Sequence, residues 1–158
     1  MLVCVAEKYL PEVQFLIIGG KQSDIEQMID HKLPDNVTTI DFMGKQELFE
    51  YYKAADLFVL PTREDVWGLV VNEAMACGLP VVTTNNCIAG LELVEDGVNG
   101  FLVDVNDPDG LAAGISKFTD SQQCIEFGKN ALSRVKGYTY KKMAERHYQI
   151  FMDLFKKK

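Results

Sequence analysis

Short apolar runs recur along this chain, each separated from the next by a stretch of helical spacing. That alternation constrains the fold more than any other feature. The runs are Val13–Ile18, Val37–Phe42, Leu57–Leu60, Pro80–Thr83 and Phe101–Val103. They read as short strands covered on both faces, bounded by turn residues such as Gly19-Gly20 and Pro61. Between them, Ser23-Asp24-Ile25-Glu26 has capping-box spacing and opens a helix whose apolar face is Ile25, Met28 and Ile29. Pro34-Asp35-Asn36 ends it. A second helix runs through Leu48, Tyr51, Tyr52 and Ala55. A third spans Leu69–Cys77 and is closed by Gly78 and Pro80. Glu92–Val94 is a short helical turn, and Gly97 and Gly100 bracket the turn into the last strand. Asp107-Pro108 caps a helix with Leu111, Ile115 and Phe118 facing inward. Another helix carries Ile125, Gly128, Leu132 and Val135, and the last begins near Thr139. Strands alternating with helices predict an α/β fold, a doubly wound parallel sheet with helices on both faces.

The chain has 158 residues, enough for a single domain over residues 1–158. A formal net charge of −7 repels phosphate backbones and argues against nucleic acid as a partner. The four cysteines, at positions 4, 77, 87 and 124, have no metal-binding spacing. Cys77 and Cys124 fall in apolar helical patterns and read as small core residues in a reducing compartment. With only two histidines, His31 and His147, a histidine-based metal site is not expected. His147 reads as a packed or partner-facing residue. No apolar run spans a bilayer, and the N-terminus lacks the apolar length of a signal peptide, so a cytoplasmic location is expected. The sequon Asn36-Val37-Thr38 is then a chance match.

In a parallel sheet, ligands bind beyond the C-terminal strand ends, where loops lead into helix N-termini. The stretch Pro61–Gly78 supplies such a place. A strand runs into a loop carrying Arg63, Glu64 and Asp65, followed by Val66 and Trp67. Gly68 permits close approach of a ligand to the backbone. The amides of Gly68, Leu69 and Val70 become free donors at a helix N-terminus, which suits a phosphate. Glu73 lies one turn on and leans back toward that end, where its carboxylate can accept from two hydroxyls of a ribose. Asp65 or Glu64 can do the same for sugar hydroxyls, although acids here also serve as helix caps and dipole partners.

This segment resembles the E-x7-E motif of the glycosyl transferases group 1 family, retaining GT-B glycosyltransferases built from two Rossmann-like halves. The match runs through Gly68-Leu69 and then Glu73-Ala74-Met75-Ala76-Cys77-Gly78-Leu79-Pro80-Val81-Val82. It continues upstream in Phe15–Gly20 and Asp41–Gly44, and downstream in Gly90-Leu91-Glu92 and Asp96–Val103. Asp65 stands where the family has its first glutamate, and Glu64 precedes it, so either acid is a candidate for the hexose. Trp67 replaces the usual phenylalanine.

The resemblance implies the donor-binding half of a hexosyl-transferring enzyme. Its substrate would be a nucleoside diphosphate sugar and its outcome retention. In that picture Glu73 holds the ribose, and the backbone of Phe42, Met43, Gly44 and Lys45 borders the base. No cofactor and no metal is implied, and no self-sufficient catalytic residue is identified. The family's donor half begins with a strand and loop bearing an arginine and a lysine, and this chain starts near the helix that follows them. The N-terminal acceptor domain would be a partner, which the end of the last helix, apolar on more than one face, would meet. The resemblance leaves room for peripheral membrane contact through the full-length protein. Two other functions fit the same pattern, a non-catalytic nucleotide-sugar-binding module and one half of a sugar-nucleotide epimerase.

Overall fold

The computed structural model describes residues 1–156. Helix α1 (Leu2–Lys8) precedes strand β1 (Phe15–Ile18). There follow α2 (Gln22–Ile29), β2 (Val37–Ile40), α3 (Lys45–Ala54), β3 (Phe58–Leu60), α4 (Leu69–Ala76) and β4 (Val81–Thr84). The chain continues through α5 (Ile88–Leu93), β5 (Gly100–Val103), α6 (Pro108–Ser116), α7 (Ser121–Val135) and α8 (Tyr140–Lys156). All strand pairings are parallel. Hydrogen bonding divides the strands into two sheets, β1-β2 and β3-β4-β5, so among the described residues only β4 has a partner on both sides.

The helices cover both faces, as strands apolar on consecutive positions require. Val82 and Val103 pack with Val5 and Ala6 of α1 and with Leu111 and Ile115 of α6. On the other face Val81 packs with Val71 and Met75 of α4 and Leu93 of α5. Helix α7 serves both clusters, with Cys124 and Phe127 in the first and Ala131 and Val135 in the second. A third cluster, Tyr52, Ala74 and Leu79, seats α3 against α4. Asn36 ties α1 to β2, its side-chain Nδ2 lying 3.0–3.1 Å from the carbonyls of Ala6, Leu10 and Val13. That buried amide is committed to the fold, which leaves the sequon without an accessible acceptor.

Several elements differ from the sequence-based expectations. Helix α2 begins at Gln22 with Lys21 as an N-cap that makes no side-chain bond. The Glu26 carboxylate is taken by Gln22 and by the Leu33 amide, so no capping box forms. Met28 is 78% exposed and takes no part in an inward face. The expected turn at Glu92–Val94 is the end of α5, which starts four residues earlier. In α7, Ile125 and Leu132 are exposed, and the buried stripe is Cys124, Phe127, Gly128, Ala131 and Val135. That stripe turns inward because Gly128 rides directly on the Gly78 carbonyl, where any Cβ would collide. Cys77 is only partly buried, and the fully buried thiol is Cys87. No described residue of α8 is buried. His147 is exposed there, its Nδ1 2.8 Å from the Met143 carbonyl.

Candidate functional site

Within each sheet the strands run parallel, so the loops after β3 and β4 open on the same edge, and the segment after β2 reaches it where Lys45 meets Glu73. The loop after β3 is clamped from the β4 side. Thr83 Oγ1 donates to the Leu60 carbonyl at 2.9 Å and Thr84 Oγ1 to that of Thr62 at 2.7 Å. Asn86 Nδ2 donates to the Arg63 carbonyl at 3.0 Å. Asp65 forms an isolated parallel bridge with Cys87, and the Ala89 amide donates to the Trp67 carbonyl at 2.6 Å. Sequence reasoning missed these clamps. The run Thr83-Thr84-Asn85-Asn86, hydroxyls and amides directly following an apolar strand, was the signal.

Gly68 caps α4 at φ 92° and ψ 56°, a conformation glycine adopts without cost and other residues rarely. It is buried, and a Cβ would stand 2.8 Å from Cys87 Sγ. No side chain caps α4. The amides of its first turn, Leu69 and Val70 among them, therefore stay available to an anion. Leu69 is exposed and Val70 partly so.

The two loop acids differ. Asp65 Oδ1 accepts from the Trp67 amide at 3.1 Å, so Asp65 shapes the turn that delivers Gly68. Glu64 is exposed, and its backbone amide and carbonyl both pair with Thr62 Oγ1. Trp67 Nε1 donates to Asn72 Oδ1 at 2.8 Å, bracing the ring along α4.

Glu73 is partly buried and reaches across to α3. Its Oε1 lies 2.9 Å from Lys45 Nζ, with the side chains 22% and 64% exposed. The hydrogen bond to Glu73, and then that carboxylate's charge, raises the Lys45 ammonium above the ordinary lysine value. Burial, and secondarily Glu73, pushes the Tyr52 phenol beneath the pair up to about 12. The fold thus joins the segment after β2 to the acid on α4. Of that segment Phe42 is 87% exposed, its amide bonded only to Asp41 Oδ1, while Met43 is partly buried and Gly44 caps α3. Among the described residues, no helix is long and apolar enough to cross a membrane.

The chain as a whole has counterparts among known proteins. The family model for glycosyl transferases group 1 matches residues 2–121. The D-inositol 3-phosphate glycosyltransferase of Mycolicibacterium smegmatis is 36% identical over 122 residues, covering 72% of this chain and 28% of that protein. The sucrose-phosphate synthase of Thermosynechococcus elongatus superposes with a TM-score of 0.82 at 27% identity, over 99% of this chain and 42% of its own. A mutant of S. aureus TarM, solved with fondaparinux, α-GlcNAc-glycerol and UDP, gives 0.82 at 25% identity, over 95% of this chain and 32% of its own. The chain therefore spans well under half the length of these relatives. The family model spans about three quarters of the chain, so this chain belongs to the glycosyl transferases group 1 family and has the Rossmann-like α/β fold found in GT-B glycosyltransferases.

Proposed function

We propose that this chain binds a nucleoside diphosphate sugar as the donor-side part of a retaining hexosyltransferase. The observation that carries this is the edge built by Gly68 and Glu73. An uncapped helix N-terminus, delivered by the left-handed turn at Gly68, stands one helical turn from a partly buried carboxylate. The amides suit a diphosphate, and the carboxylate suits the paired hydroxyls of a ribose. Asp65 and Glu64 lie on the loop beside them and are candidates to receive hexose hydroxyls. Phe42, Met43, Gly44 and Lys45, after β2, would border the base. The family assignment and the UDP held by the TarM mutant support a nucleotide donor.

The chain's own residues would bind and orient the donor. Transfer also needs an acceptor oxygen held at the anomeric carbon, and positioning of that kind supplies about 7–11 kcal/mol of a barrier. We assign that step to a longer protein, because the match covers 28% of the D-inositol 3-phosphate glycosyltransferase.

Glu73→Gln tests the site. Hydrogen bonds from hydroxyls to a charged acceptor contribute about 1.5–3 kcal/mol. Calorimetry should therefore show nucleoside diphosphate binding weakened about tenfold or more. An unaltered affinity would remove Glu73 from the site.

A further inference from the structure

We propose that Lys45 is a positioning residue of the nucleotide subsite. Seated on Oε1 of Glu73, its ammonium would hold that carboxylate with Oε2 free to accept from a vicinal diol. The inference rests on the donor-site function assigned to Glu73 above, and extends it to a side chain expected to do no more than lend its backbone to the base.

Lys45 is the first residue of α3. A cation at that end opposes the helix dipole, and local preference there is for an acid. Something beyond the helix must favour it. Its Nζ meets Glu73 Oε1 at 2.9 Å and lies 5.6 Å from the centroid of the Phe49 ring, one turn further along α3. Two partners thus orient a side chain that is otherwise largely in solvent. The pair does not hold the helices together, since Tyr52, Ala74 and Leu79 already seat α3 on α4. A pair this exposed adds little to folding. A functional role accounts for it better.

Among the described residues, Lys45 is the only hydrogen-bonding or ion-pairing partner of the Glu73 carboxylate. Oε2 is left to accept from one hydroxyl of a diol. The lysine also offsets a negative charge that would otherwise repel a diphosphate, in a chain of net charge −7.

The test is calorimetric titration of the chain with UDP, ADP and GDP and with their 2′-deoxy counterparts. It compares wild type, Lys45→Met, Lys45→Arg, Glu73→Gln and the Lys45→Met/Glu73→Gln double variant, with thermal melts as a check on folding. For the diphosphate that binds best, Lys45→Met should weaken binding roughly three- to tenfold and narrow the preference for ribose over deoxyribose. Lys45→Arg should restore most of both. The double variant should bind no more weakly than Glu73→Gln alone, because the lysine acts through the acid. If Glu73→Gln weakens binding while Lys45→Met changes neither affinity nor the ribose preference, the role of Lys45 is overturned and the donor site stands. An equal loss from Lys45→Met in both backgrounds would also overturn it, showing a lysine that acts on the ligand independently of Glu73. If wild type binds none of the diphosphates, or Glu73→Gln is silent, the donor-site function itself falls, and this inference with it.

Discussion

Gly68 shows how one residue without a side chain sets both the shape and the chemistry of the site. Its φ of 92° turns the loop into α4, and its missing Cβ leaves room for Cys87 Sγ. Gly68→Ala should therefore lose about 1–3 kcal/mol of stability in a denaturant titration, from the strained backbone and the clash together. Gly137→Ala is the matched control, having open space and no positive φ, and should shift stability by less than about 0.5 kcal/mol. Equal effects from the two would show that the loop re-forms around the methyl. At this scale the sequence was informative where neighbours in the chain cooperate. Gly68 and Glu73 are five positions apart and could be placed on one helix by counting. Lys45 and Glu73 are twenty-eight positions apart, and only the packing of α3 on α4 brings them together. Lys45 could be named as bordering the site, but nothing local showed where its ammonium would go.

The elements were legible in kind and less so in facing. Helix α7 illustrates why. Its apolar residues occupy more than one stripe, and hydrophobicity ranks Ile125 and Leu132 above Cys124 and Ala131. The fold instead buries the stripe that carries Gly128, because that glycine must pass the Gly78 carbonyl closely. Steric limits at a crossing overrode the apolar ranking. Helix α8 is the opposite case. Its broad apolar arc includes Tyr140, Met143, Phe151, Leu154 and Phe155, all exposed. Since no described residue of it is buried, ending the chain after Thr139 should leave the midpoint of thermal unfolding within about 2 °C. A fall of 5 °C or more on truncation, roughly a kcal/mol or more for a domain this size, would mean that α8 folds back on the domain in solution.

At the scale of the whole molecule, strand–helix alternation foretold the layering, with both faces covered. It could not foretell that the ladder would be interrupted between the β1-β2 pair and the β3-β4-β5 trio, because hydrogen-bond partners are chosen across the chain rather than along it. The interruption gives the molecule an uneven clock for isotope exchange. An amide trades its proton for deuterium when it is free of a partner or briefly released from one. Along β1 and β3, alternate backbone groups face away from the partner strand and lack a ladder bond. Strand β4, flanked on both sides, should therefore keep its protons longest at Val81–Thr84. In mass-resolved exchange, Phe15–Ile18 and Phe58–Leu60 should each split into a slow set and a fast set, residue by residue. If both segments stay as protected as β4 throughout, the two sheets meet in solution as one. Otherwise deuterium uptake will draw, strand by strand, the line along which this domain is open to pairing with another backbone.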